Sequence, residues 1–155
     1  ICSMDLVSLL LTHDLILARG KRNITKVIIH HSASPVGTTV EQINQWHLDR
    51  GWSGIGYHYV LLEDCTIAKG RSLNKQGAHT KGENKNSIGI CVTGNFEDYH
   101  CPAPRFSALM AHVSTLLCDY NLTWKDVYYH QQFANTACCG KFLIEQVKQF
   151  LKGRV

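Results

Sequence analysis

The stretch KVIIHHSAS, residues 26–34, decides the reading of this chain. Val27, Ile28 and Ile29 are three β-branched residues in a row, and small polar residues follow the two histidines at once. Side chains of that kind are stiff at χ1 and favour extended chain. A short apolar run with an abrupt polar end reads as a buried strand.

Working outward, Thr39 stands where a helix N-cap belongs, with Gln42 in the reciprocal capping-box position. The helix it opens runs through Ile43 and Trp46, the latter read as core, and stops at Gly51. Residues 57–62 (YHYVLL) read as a second strand, turned by Glu63 and Asp64 into a partner at 66–69. Residues 87–93 (SIGICVT) form a third core strand. Phe106, Leu109, Met110, Val113, Leu116, Leu117 and Tyr120 recur at helical spacing over four turns. Residues 127–129 are a short strand. Leu143, Val147, Phe150 and Leu151 mark a last helix that turns Lys141, Lys148 and Lys152 to solvent.

Strands alternating with helices predict an α/β fold with a central sheet covered by helices on both faces. The hairpin makes that sheet mixed. The 155 residues suit one domain, with 45% hydrophobic and 18% charged residues arguing against disorder. We read residues 1–25 as an N-terminal segment, with Leu6, Val7, Leu10 and Leu11 on one face of a packed helix, and residues 26–155 as the main domain. The apolar part of that segment is interrupted by Asp5, His13 and Asp14. It is too short for a membrane span and lacks the basic start of a signal peptide.

The formal net charge is +4, which favours polyanionic partners, an anionic cell wall among them. The basic residues are dispersed and not interleaved with aromatics, so no nucleic-acid partner is expected. Seven cysteines without a CxxC pair argue against a disulfide framework and against a zinc ribbon. Most are expected to be reduced core thiols, Cys91 among them.

His30 at the end of the first strand, His130 after the short strand and Cys138 eight residues later form one possible metal triplet. Two imidazoles, one thiolate and an open fourth position make a catalytic zinc site. Nine histidines and seven cysteines offer many other triplets, and no HExxH is present. A histidine at a strand end is more often structural.

Four segments taken in series narrow the choice: VIIHHSASP (27–35), INQWHLDRGWSGIGYHYVLLEDCTI (43–67), GAHTKGENKNSIGICVTGNF (77–96) and HQQFANTACCG (130–140). Together they resemble the type-2 N-acetylmuramoyl-L-alanine amidases, which include phage lysozyme-like amidases and animal peptidoglycan recognition proteins. The resemblance runs from about Lys26 to about Leu151 and is nearest to single-domain phage endolysins. It implies the peptidoglycan recognition protein-like amidase fold and zinc-dependent hydrolysis of the bond between N-acetylmuramic acid and L-alanine. It further implies one Zn²⁺, bacterial peptidoglycan as partner, and a monomer. Without a recognisable secretion signal, synthesis in a host cytoplasm and action on the cell wall are expected.

Residue by residue, the resemblance implies His30 (rather than His31), His130 and Cys138 as zinc ligands. It implies Tyr57, of the GYH motif, as catalytic. Thr136, two before the ligand cysteine, stands where other members have Lys, and offers a hydroxyl without the fixed charge. His79 and Asn86 fall in the loop that borders the family's substrate groove and are candidate substrate contacts, His79 reading equally as a surface histidine; Trp52 lines that groove or packs beneath the loop. His58, on the opposite strand face from Tyr57, is read as structural.

Two positions depart from the family pattern. Cys65 occupies the hairpin position that usually holds Gly, where a positive φ is easy. Cys139 replaces the usual Pro after the ligand cysteine, so two adjacent thiols compete for the metal, and the eight-residue spacing favours Cys138. A disulfide between them would abolish the site. Two competing readings are a peptidoglycan-binding module without catalysis and a metal-free hydrolase with Cys138 as nucleophile and His130 as base.

Overall fold

The computed structural model describes residues 22–155. Strands β1 (Lys26–His31), β2 (Tyr59–Leu61), β3 (Ile67–Lys69), β4 (Ser87–Val92) and β5 (Val127–Tyr129) form one sheet in the order β3-β2-β4-β1-β5. The β2–β3 hairpin is antiparallel and all other pairs are parallel, so the sheet is mixed. β1 and β4 run side by side in the middle, His30 opposite Cys91 and Ile28 opposite Gly89.

Alternation along these strands divides the interior in two. Val27, Ile29, Ile88, Ile90, Val92, Leu61 and Val127 face helices α2 (Ala103–Asp119) and α3 (Lys141–Leu151) in the larger core. On the other face a smaller cluster of Ile43, Ile55, Val60 and Cys91 sits under helix α1 (Val40–Asp49). Each fully buried aliphatic side chain contributes about 1.5–3 kcal/mol, so the two central strands anchor the domain. Of the residues singled out from the sequence, His30 and Tyr57 lie on the thinner, α1-covered face.

The helix ends follow local chemistry. Thr39 Oγ1 accepts the Gln42 N–H at 3.2 Å and Gln42 Oε1 accepts the Thr39 N–H at 2.8 Å, the reciprocal pair anticipated from sequence. Gly51, at φ +84°, follows the last turn of α1. Pro102 precedes α2, and its carbonyl accepts the Phe106 N–H. Arg105, in the first turn of α2, is buried, a placement the sequence did not suggest. Its guanidinium donates to the carbonyls of Leu61, Leu62 and Thr93 and to Thr93 Oγ1, tying α2 to the ends of β2 and β4.

Several boundaries and placements differ from expectation. The second strand is shorter than 57–62, although His58 N–H still bonds Gly89 O and the Gly70 N–H still bonds His58 O. Trp46 is 41% exposed rather than core. The buried stripe of α1 centres on Ile43 and His47, and Trp46 projects about 80° away at 3.6 residues per turn. Cys65 takes φ +69°, the conformation its replacement of glycine implied. Cys65, Cys91, Cys101, Cys138 and Cys139 are free thiols, in keeping with the expectation that most are reduced, and Cys118 is disulfide-bonded.

The helix expected around Leu6–Leu11 lies outside the described residues. Arg22 donates to the carbonyls of Leu73, Asn84 and Ser87, and Ile24 is buried in the larger core. No described helix is long and apolar enough to cross a membrane.

Candidate active site

His30 ends β1 on the α1-covered face, while His31, one residue on, turns to the opposite face. There its Nδ1 accepts the Phe96 N–H at 3.2 Å. The alternation settles which of the paired histidines faces the α1-covered side.

The other two members come from the loop after β5. His130 opens a single 3₁₀ turn, His130–Gln132, steadied by Gln132 Oε1 on the Tyr129 N–H. Gln131 N–H donates to the Cys138 carbonyl at 2.9 Å and Thr136 Oγ1 accepts the Cys138 N–H at 3.3 Å, which closes the loop on itself. Cys138 Sγ then meets the His31 N–H at 3.4 Å and lies 3.6 Å from His30 Nδ1. Cys139 points the other way, fully buried in the larger core. Of the two adjacent thiols, only Cys138 joins His30 and His130 in the cluster.

The three side chains each offer a ligand atom, and these atoms lie within 4.8 Å of one another. Tetrahedral bonds of about 2.0–2.1 Å to nitrogen and about 2.3 Å to sulfur separate N and S by about 3.6 Å. That is the His30–Cys138 separation. The donor chemistry also fits. Burial, reinforced by neighbouring imidazoles, holds His30 well below the usual histidine range, and burial lowers His130 too. Both rings therefore keep a free lone pair at neutral pH. Burial pushes the Cys138 thiol up to about 12, opposed by the His31 N–H. Without a cation the sulfur stays protonated, and a divalent ion is what would convert it to thiolate. The His30, His130 and Cys138 side chains thus fit a zinc ion.

Tyr57 flanks this cluster, its ring centroid 5.2 Å from that of His30. Burial, then the neighbouring Cys91 and Cys138, raise its phenol well above the usual tyrosine value, so it remains a donor. His47 packs on Tyr57 at 5.4 Å, and Trp52 packs on His47 at 4.7 Å. A row of rings thus leads from His30 to Trp52, which is 37% exposed and also lies under the Arg50 guanidinium.

The remaining sequence candidates divide. Thr136 lies in the same loop as Cys138, with its hydroxyl oxygen turned to the Cys138 N–H. His79 is buried beside His30 rather than on an open groove wall, with its Nδ1 2.9 Å from His30 Nε2. Asn86 lies before the start of β4, where its carbonyl accepts the Thr25 N–H. It stands five residues, or about 16 Å of strand, from the His30–Cys91 level. His58 is structural: its Nδ1 accepts the Gly89 N–H and its Nε2 meets the Lys75 carbonyl. Sequence reasoning passed over Asn84, whose Oδ1 accepts the N–H groups of both His79 and Thr80. It also passed over Gly89, although a glycine inside a strand signals close approach by another group.

Residues 20–141 match the family model described as N-acetylmuramoyl-L-alanine amidase. The chain is 39% identical over 128 residues to the endolysin of Escherichia phage T7, covering 77% of this chain and 83% of the endolysin. Among solved structures it is similar to the N-acetylmuramoyl-L-alanine amidase LysC from Clostridium intestinale. That match has a TM-score of 0.77 and 33% identity, over 85% of this chain and 87% of that one. Bumblebee PGRP-SA superposes with a TM-score of 0.76 at 32% identity, over 83% of this chain and 82% of that one.

Proposed function

This chain belongs to the N-acetylmuramoyl-L-alanine amidase family, and from that premise we propose that it is a zinc enzyme of the endolysin type. It cleaves the amide bond between N-acetylmuramic acid and L-alanine in bacterial peptidoglycan. The observation that carries this reading is the convergence of His30, His130 and Cys138 within 4.8 Å, beside the Tyr57 ring.

His30, His130 and Cys138 would hold the ion. Zinc bound there supplies Lewis acidity, which brings a water molecule's acidity close to neutrality and polarises a carbonyl. Tyr57 donates its phenol proton to the oxygen of the scissile amide as charge develops on it. A well-placed donor of this kind is worth about 2.7–4 kcal/mol. Thr136 accepts the Cys138 N–H and keeps its own O–H free to donate toward the same oxygen. With Thr in place of Lys, no fixed positive charge from this position assists. Trp52, at the outer end of the row of rings, presents an apolar face to substrate flanking the scissile bond.

The protein acts on the cell wall as a monomer. The reading is tested by mass spectrometry of peptidoglycan digested by the protein, with and without a chelator. The expected products are free L-alanine amino termini and intact lactyl groups on muramic acid, lost with chelator and restored by added zinc. Cleavage of another bond, or digestion indifferent to chelation, contradicts it.

The same cluster also holds the pair a metal-free cysteine hydrolase would need, Cys138 as nucleophile and His130 as base, with their ligand atoms within 4.8 Å. A cysteine nucleophile needs a lowered pKa, whereas burial raises that of Cys138. The chelator arm of the same experiment separates the two.

A further inference from the structure

We propose that His79 is the positioning residue for the metal ligand His30: it accepts the His30 Nε2–H, fixes the ring with Nδ1 aimed at Cys138 Sγ, and so sets the affinity for zinc. This deepens the zinc reading above and rests on it.

A neutral imidazole has one donor nitrogen and one acceptor. Nδ1 of His30 faces the Cys138 sulfur at 3.6 Å. If that nitrogen gives its lone pair to a metal, Nε2 must carry the proton. His79 Nδ1 lies 2.9 Å from that Nε2, with the two rings edge to face at 85°. His79 Nδ1 then accepts, and its own proton sits on Nε2, 3.3 Å from Ser87 Oγ. Thr80 Oγ1 lies 3.3 Å from His30 Nε2 and 3.0 Å from His79 Nδ1, at the same junction. The tautomers of both histidines are fixed in one direction along this chain.

The surroundings are shaped for this ring. Asn84 Oδ1 pins the backbone N–H groups of His79 and Thr80 at 2.9 and 2.8 Å. A Cβ on Gly89 would stand 2.5 Å from the His79 ring, and one on Gly77 would stand 2.6 Å from it. Both positions therefore have to be glycine for the ring to lie against the sheet. His79 is 9% exposed, which leaves it little surface with which to meet substrate.

Ligating histidines almost always give their second nitrogen to an outer partner, commonly a carboxylate or a carbonyl, and loss of that partner weakens metal binding by about 10–100-fold. Here the partner is a neutral imidazole. It orients His30 without adding negative charge, so the Cys138 thiolate remains the charged ligand of the set.

The test is zinc affinity by competition with a chromophoric chelator, for the unsubstituted protein, His79→Leu and His79→Asn. Asn keeps an acceptor oxygen near the position of Nδ1. The expected result is about 10–100-fold weaker binding for His79→Leu and recovery of most of the affinity in His79→Asn. The absorption spectrum of the cobalt-loaded protein should shift with Leu and return with Asn. Equal zinc affinity in the parent and His79→Leu overturns this proposal and leaves the zinc reading standing. A parent that takes up no zinc overturns both. Should His79→Leu not fold, nitrogen-15 imidazole spectra of the zinc-loaded parent decide. A scalar coupling across the His30 Nε2–H···Nδ1 His79 bond supports the proposal, and zinc bound through His30 Nε2 overturns it.

Discussion

His30 Nδ1 and Cys138 Sγ, 108 residues apart in the chain, lie 3.6 Å from each other. One comes from the end of a central strand and the other from a loop that closes on its own backbone. The contact joins a neutral imidazole to a thiol that burial holds up to about 12.

That contact predicts a proton count. Both imidazoles are already unprotonated above about pH 6.5, so among the three ligands only Cys138 gives up a proton to zinc. Water on the ion would add up to about one more near neutrality. Calorimetry at pH 7.5 in buffers of different ionisation enthalpy should show between about one and two protons released per zinc. The apparent affinity should rise at least about tenfold per pH unit between pH 7 and 9. Release of clearly less than about one proton would mean that the sulfur is not a ligand or is already ionised.

Tyr57→Phe should retain zinc and lose about 10²–10³ in kcat, the usual cost of one oxyanion donor. Since the phenol is raised well above its ordinary value, the alkaline limb of the parent's rate profile should not report Tyr57 ionisation. Zinc content and steady-state rates measured together check this. A Phe variant as fast as the parent removes Tyr57 from the chemistry.

Stability should fall in mild acid through histidines outside the metal cluster. Burial lowers His47 and His58 to about 4 from 6.5. Below pH 6.5 the unfolded chain binds protons that the folded chain refuses. The stabilisation is therefore full above about pH 6.5 and is lost as pH falls toward 4, by about 1.4 kcal/mol per unit for each such histidine at most. Urea midpoints at pH 7.5, 5.5 and 4.5 should decrease in that order, and a flat series contradicts the assignment.

Cys65 carries φ +69° in the hairpin turn. A left-handed conformation costs an L-residue about 1–2 kcal/mol, partly offset on substitution by glycine's greater freedom in the unfolded chain. Cys65→Gly should leave activity unchanged and stabilise the protein by roughly 0.5 kcal/mol, visible as a small rise in Tm. A fall in Tm would show that the thiol contributes packing that outweighs the strain.

The alternation of strand and helix was legible because β1, β4 and α2 carry unmistakable periodicity. The Thr39–Gln42 cap was legible from four residues. The metal cluster was legible only through four matched segments in series, since no local spacing joins His30 to Cys138. Trp46 misled because an apolar side chain at the flank of a short helix satisfies the same pattern as one at its centre. Arg105 was unreadable because its partners are backbone carbonyls, which leave no mark in a sequence. His79 read as a loop residue facing substrate. The glycines that make room for its ring were visible at 77 and 89, but which ring they serve is settled only by the fold.

The central claim is the ligand set, and X-ray absorption at the zinc edge of the loaded protein tests it most directly. One sulfur at about 2.3 Å together with imidazole nitrogens at about 2.0–2.1 Å is expected, with loss of the sulfur contribution in Cys138→Ala. A first shell of nitrogen and oxygen alone in the unsubstituted protein would contradict it.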